Sequence, residues 1–198
     1  PLPFAVISTG TWMITFAAGG SLDRLDPARG GLAYVDAFGR PVSSTMSMTG
    51  REFEILTAGA AVEPSDTDIA AVIERRIMAL PGFGPGSGPF GQRRGAWSHD
   101  ADALTPGERT AAATLYAALV AEVSLALAGA EGPVLIEGPL ARNRLFLSAL
   151  ATLVARPVIG RPDATGTTEG AALLADGPAG AVALADPPPA TPLGAGFA

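Results

Sequence analysis

Ser8-Thr9-Gly10-Thr11 gathers three hydroxyls around one glycine. The glycine lets the backbone turn tightly and approach a ligand, and hydroxyls with successive N–H groups make a concave nest that suits phosphate oxygens without a cationic side chain. The same four residues also suit an ordinary hairpin turn. A second stretch, Ile136-Glu-Gly-Pro-Leu-Ala-Arg-Asn143, joins a strand pattern to a helix pattern. A glycine-containing loop there aims helix N–H groups and the positive dipole end at a bound group on the carboxyl edge of a sheet. Arg142 and Arg144 beside Asn143 oppose that dipole, so they either meet something anionic or point into solvent. The third is Pro162-Asp-Ala-Thr-Gly-Thr-Thr-Glu-Gly-Ala-Ala172, whose small residues let a helix start press against neighbouring backbone and whose Asp163, Thr165 and Thr167 are helix-capping types.

Other reactive types carry less. Ser98-His99-Asp100 superficially resembles a hydrolase set, but adjacent residues cannot converge as a triad does, and no G-x-S-x-G elbow exists. Asp23 and Asp26 fall in a turn and Asp36 at a strand end, where carboxylates are ordinarily solvated. With no cysteine and one histidine, disulfides, thiolate metal sites and His-rich metal clusters are excluded. All 13 basic residues are arginine, so a phosphate-loop lysine and Schiff-base chemistry are excluded as well. The formal net charge of -6, with arginines scattered along the chain, argues against broad nucleic-acid binding. An anionic ligand must therefore be held locally, by backbone N–H groups and a few arginines.

The elements that position these residues follow from period and punctuation. Phe4–Ile7 and Trp12–Phe16 predict a hairpin, and Leu32–Val35 with Pro41–Met48 a second pair joined at Phe38-Gly39-Arg40. Thr49-Gly-Arg-Glu52 has the form of a capping box before a short helix. Ser65-Asp-Thr-Asp68 caps a helical pattern running through Ile69, Val72, Ile73, Ile77 and Leu80 to Pro81. Residues 82–95 are a Gly- and Pro-rich surface loop. Thr105-Pro-Gly-Glu108 opens a long helix with Leu115, Leu119, Val123 and Leu127 on one stripe. Pro133–Ile136 predicts a buried strand, Leu140–Val154 a helix, Arg156–Gly160 a strand and Thr167–Ala175 a last helix. The tail from Asp176 is extended or flexible. No stretch near eighteen residues is continuously apolar and the N-terminus lacks a secretory pattern, so a cytoplasmic protein with no membrane partner is expected.

The order, β first and then alternating α and β, fits an α/β ribonuclease H-like lobe of the actin-like ATPase and sugar kinase type, a mixed sheet flanked by helices. In that order the chemical stretches resemble the C-terminal lobe of the FGGY carbohydrate kinase family. Val6-Ile-Ser-Thr-Gly-Thr-Trp12 looks like its phosphate-facing hairpin, closest to the S-G-T-W form of rhamnulokinase-like and fuculokinase-like members. Glu137 to Leu145 is similar to its G-G-G-A-x-N adenosine loop, with Asn143 matching the asparagine. Arg156-Pro-Val-Ile159 and Asp163-Ala-Thr165 through Gly170-Ala-Ala172 resemble its R-P-V strand and following helix.

The resemblance implies an ATP-dependent sugar kinase. Residues 1–198 would be its nucleotide-binding lobe, with phosphates at Thr9, Gly10 and Thr11 and adenosine at Glu137, Gly138, Ala141 and Asn143. Magnesium would be carried by the nucleotide rather than by a metal site in this chain. A deoxyhexose or hexulose would be held mainly by an N-terminal lobe outside the chain, and a homodimer is compatible. The family's catalytic aspartate normally lies just upstream of the hairpin, so no catalytic residue is expected here. Of the usual glycine triple only Gly138 remains, between Glu137 and Pro139, and Glu137 is expected to accept a hydrogen bond from the ribose. That departure keeps two alternatives open: a non-catalytic member with weakened nucleotide binding, and an actin-like or heat-shock-type ATPase lobe.

Overall fold

The computed structural model describes residues 2–84, 86, 88–162, 166–176 and 188–194. Strands β1 (Phe4–Thr9) and β2 (Met13–Ala18) form the first hairpin, in register from Phe4–Ala18 to Thr9–Met13. Strands β3 (Gly31–Val35) and β4 (Pro41–Ser47) form the second, and β4 pairs antiparallel with β2. Alternation along β1 and β2 sends Ala5, Ile7, Met13, Thr15 and Ala17 to a fully buried face and Val6, Ile14 and Phe16 to a half-covered one.

After β4 come α1 (Thr49–Leu56) and α2 (Asp66–Glu74), then a two-stranded ribbon of β5 (Ala79–Leu80) and β6 (Ala96–Trp97). The long α3 (Pro106–Leu127) leads to β7 (Val134–Glu137), α4 (Arg144–Val154), β8 (Val158–Arg161) and α5 (Gly166–Asp176). The main sheet has the order β3-β4-β2-β1-β7-β8, with β7 parallel to β1 and β8 parallel to β7. An antiparallel meander extended by crossover-connected parallel strands is the ribonuclease H-like arrangement the element order predicts.

Helix α3 is the spine of the domain. Its reciprocal cap is formed as expected, Thr105 and Glu108 each accepting the other's backbone N–H, and Arg75 pairs with the Glu108 carboxylate. Its alanines and Ser124 lie against a floor of small residues, among them Ala17, Ser43 and Thr45, and the Thr45 hydroxyl donates to the Ser124 carbonyl at 3.1 Å. Small side chains on both surfaces let helix and sheet approach closely, which accounts for alanine's prominence in the core. By length and composition α3 could cross a bilayer, but 67% of its apolar window is buried in the domain, the environment of a core helix.

The structure corrects four local expectations. The stripe through Leu119 is not the packing face: Leu119 is 51% exposed, while Ala113, Tyr116, Ala117, Val120 and Leu125 are buried. Helix α2 stops at Glu74 rather than before Pro81, because Arg76 takes a left-handed φ of 54° and Ala79 then pairs with Trp97. Helix α4 starts at Arg144 rather than Leu140. Residues Pro139–Arg142 form one turn of 3-10 helix, and Asn143 caps α4 by accepting the Phe146 N–H at 2.9 Å. The Thr49–Glu52 capping box does not form. Thr49 is already inside α1, its hydroxyl bonds Ser47, and the Glu52 carboxylate turns inward.

Of the tail, residues 188–194 run extended along the domain edge, Ala190 donating to the Val158 carbonyl and Leu193 to the Thr152 hydroxyl. Asp163 to Thr165, and the tail residues 177–187 and 195–198, lie outside the described residues.

Candidate functional site

The tip of the first hairpin, Gly10 to Trp12, projects at the middle of the sheet's carboxyl edge and is fixed on two sides. On the β7 side, the Thr9 hydroxyl donates to the Glu137 carbonyl at 2.5 Å and accepts the Leu140 N–H at 3.2 Å. Gly138 makes this approach possible. Its φ of 83° and ψ of −162° belong to a region only glycine occupies readily, and a Cβ there would overlap the Thr9 carbonyl. On the other side, Arg51 in the first turn of α1 donates to the Thr11 carbonyl at 3.2 Å. A Cβ on Gly50 would overlap the Gly10 carbonyl. The hairpin tip, the β7 loop and the start of α1 thus form one rigid junction, made by two glycines and one buried hydroxyl.

Beside this junction opens a cleft of about 490 Å3. Thr9, Gly10, Thr11 and Met13 form one wall, and Pro139, Leu140 and Asn143 another. Gly50, Phe53 and Glu54 of α1 and Thr110 of α3 close a third side, and Ala61-Val62-Glu63 cover the top. That cover is tied down by the Val62 N–H, which donates to the Thr110 hydroxyl at 3.2 Å. At the rim Arg51 and Glu54 form an exposed ion pair at 2.8 Å. Apolar walls of Phe53, Val62, Leu140 and Met13 suit a flat, weakly polar group, while Thr9 and Thr11 of the hairpin and Glu54, Glu63, Thr110 and Asn143 around it supply polar side chains. The size is that of an ordinary small-molecule site.

Of the residues singled out from the sequence, Thr9, Gly10, Thr11 and Asn143 line the cleft together. Their polar atoms are unequally committed. The Gly10 N–H is held by the Trp12 carbonyl at 2.9 Å, and the Thr9 hydroxyl by the β7 loop. The Asn143 amide caps α4 and donates to Thr114 at 3.3 Å. Thr11 is exposed, and its hydroxyl has no partner among the described residues.

Glu137, Gly138 and Ala141 do not line the cleft. Ala141 is buried beneath the loop, and Gly138 sets the loop's approach to Thr9. Glu137 pairs in register with Ser8 on the opposite sheet face, its carboxylate packed against Gly166 at the start of α5. Phe53, Val62, Glu63 and Thr110 were not singled out from the sequence. They come from three separate segments, and no local spacing marks them as neighbours. Asp26, Asp36 and Asp100 accept backbone N–H groups in turns of their own. Ser98 and His99 bond each other on the surface.

Comparisons with known proteins agree with this fold. The family described as carbohydrate kinase FGGY, C-terminal domain, matches residues 1–183. Among solved structures, a carbohydrate kinase from Novosphingobium aromaticivorans shares 36% identity over 88% of this chain, with a TM-score of 0.77. A xylulose kinase from Rhodospirillum rubrum is 18% identical over 99% of the chain, with a TM-score of 0.68. Plasmodium falciparum glycerol kinase with ADP is 14% identical over 86%, with a TM-score of 0.61. The last two show the fold alone. This chain spans only 40%, 44% and 37% of those three proteins respectively. A search of curated proteins finds no match.

Proposed function

Because the chain belongs to the FGGY carbohydrate kinase family and corresponds to its C-terminal domain, we propose that it is the nucleotide-binding half of an ATP-dependent sugar kinase. The observation that carries this reading is the junction itself. A hairpin tip with an uncommitted threonine hydroxyl opens directly onto an apolar-walled cleft covered by Val62 and lined by Asn143.

Adenosine occupies the cleft between Phe53, Val62 and Leu140, and the phosphates run over Gly10 toward Thr11. Asn143 and Gly138 support that contact by holding the α4 start and the β7 loop in place. Glu137 and Ala141 shape the loop from behind rather than touching the ribose. The residues present fit a nucleotide: a polar tip for charge and an apolar slot for the base. The presence of ADP in the glycerol kinase of the same fold is consistent with this. Magnesium, carried by the nucleotide rather than by side chains of this chain, would supply charge neutralisation at the phosphate oxygens. Phosphoryl transfer needs positioning and charge stabilisation more than covalent chemistry from the protein, so backbone and hydroxyl donors suffice on this side. The likeness of Thr9-Gly10-Thr11-Trp12 to the S-G-T-W form favours a deoxyhexose or hexulose as acceptor.

The test uses the intact protein. Sugar-stimulated ADP release is expected, and Thr11→Val, which keeps the β-branched shape, should lower turnover at least about tenfold with an unchanged melting temperature. Equal turnover in the variant would leave the tip an ordinary turn. ATP hydrolysis indifferent to every sugar would favour the actin-like ATPase reading.

A further inference from the structure

The two edges of the main sheet are finished differently. Along β8 the extended segment 188–194 lies over the edge, with Pro188 and Pro189 leading into Ala190, which donates to the Val158 carbonyl. Along β3 the edge is open. In the β3–β4 ladder the Met46 N–H donates to the Gly30 carbonyl and the Asp36 N–H to the Arg40 carbonyl, so Leu32 and Tyr34 turn their backbone groups to β4 and Gly31, Ala33 and Val35 turn theirs outward. The Gly31 N–H is taken by the Asp26 carbonyl at 2.8 Å, but the outward groups of Ala33 and Val35 have no partner among the described residues. Gly31-Leu-Ala-Tyr-Val35 also carries no charge and no proline, the usual guards of an exposed edge. Val35, 72% exposed, and Phe38, 64% exposed in the turn that follows, are the two most exposed large apolar residues among those described. Tyr34 lies exposed on the opposite face from Val35, edge-on to Phe16 with ring centroids 5.6 Å apart.

We infer that β3 is the contact strand of a homodimer, pairing antiparallel with β3 of a second copy so that the sheet continues across a two-fold axis. This goes beyond the kinase reading and does not rest on it. The free backbone groups complement themselves in one register. With the axis at Tyr34, Ala33 of each copy faces Val35 of the other, and every outward N–H and carbonyl of those two residues is satisfied. An axis at Ala33 would instead oppose Val35 to Gly31, whose N–H is already held by Asp26. The Tyr34 register also joins apolar groups on both faces. The two Tyr34 side chains meet as a cross-strand pair beside Phe16 and Val42, while Val35 of each copy lies against Ala33 of the other. Because no residue of β3 is charged, two identical edges meet without opposing like charges. Pairing stops at two copies, since the other edge of each sheet is covered by its own segment 188–194.

The experiment measures the mass of the intact protein by sedimentation across a dilution series. The unsubstituted protein should sediment as a dimer. Ala33→Pro removes an outward donor without touching the β4 ladder, and Val35→Lys sets a charge on the edge. Each should raise the dimer dissociation constant at least about tenfold with an unchanged circular dichroism spectrum. Should Ala33→Pro misfold, Val35→Lys carries the test with a third variant, Tyr34→Cys. The two Tyr34 positions would face each other with Cα atoms about 4.5 Å apart, within reach of a disulfide, and the chain has no cysteine of its own. Tyr34→Cys should therefore give a covalent dimer on mild oxidation. Phe38→Cys, although more exposed, should not, because the two Phe38 positions lie at opposite ends of the paired strands. A dimer that survives both Ala33→Pro and Val35→Lys places the contact elsewhere and overturns the inference. So does a monomeric unsubstituted protein, and a melting temperature lowered by Val35→Lys would then show the edge to be covered by the protein's own chain.

Discussion

Gly138 shows how much a site can depend on an atom that is missing. Its φ of 83° and the closeness of the Thr9 carbonyl leave no room for a methyl group. Gly138→Ala pays the backbone strain of about 1–3 kcal/mol and must also push the β7 loop off the hairpin. The melting temperature should fall and ADP binding weaken together, as calorimetry and a thermal melt on one preparation would show. Unchanged ADP affinity in a destabilised variant would separate the loop from the nucleotide. At this scale the sequence was half legible. Thr9, Gly10, Thr11 and Asn143 could be singled out because turn chemistry and family resemblance fall on consecutive positions. Phe53, Val62, Glu63 and Thr110 could not, since only tertiary packing makes them neighbours. Glu137 was placed on the ribose side from its position in the loop, but strand register sends its side chain to the opposite face. A one-residue difference along a strand reverses direction.

Among the elements, α1 bears most directly on the cleft, and a buried carboxylate holds it. Glu52 is 6% exposed and accepts the Gly84 N–H at 2.8 Å and the Tyr116 hydroxyl at 3.0 Å. Burial, and then the adjacent Glu52 charge, push the Tyr116 phenol far above its ordinary value, so it remains a donor throughout the working pH range. One side chain thereby joins α1, α3 and the loop that begins at Gly82. Glu52→Ala would orphan two buried donors and should cost on the order of 2–4 kcal/mol in a urea melt. Glu52→Gln, which keeps the shape and one acceptor, should cost clearly less. Equal losses would assign the effect to packing alone. The T-x-x-E pattern at Thr49 was misread for the same reason: a glutamate that reaches inward to Tyr116 cannot also reach back to cap its own helix. The box at Thr105 forms as read because Glu108, whose one further partner among the described residues is Arg75, stays at its helix start. Strand pairs and α3 were legible from period and punctuation. The end of α2 was not, because its apolar spacing continues past the left-handed Arg76 into β5.

On the proposed reading, the whole domain supplies a cleft for one of two reactants, the nucleotide. A transfer site divided between two lobes cannot assemble from one of them. Residues 1–198 alone should therefore bind ADP by calorimetry yet form no sugar phosphate in a coupled assay with ATP. Robust product from the chain by itself would place a complete site within it. The order of elements made the fold class legible without any single strong motif, because a meander followed by crossover-connected strands has few ways to pack. The Thr9 bridge carries a further consequence, for the time course of folding. Its hydroxyl joins backbone groups 128 and 131 positions away, so both walls of the cleft meet only when β1 has paired with β7. The antiparallel meander can form early from near neighbours, but closing so long a loop comes late and slowly. A chain leaving the ribosome would thus have its hairpin long before it has a pocket, and on the proposed reading nucleotide, needing the closed junction, would draw the last step of folding forward by mass action.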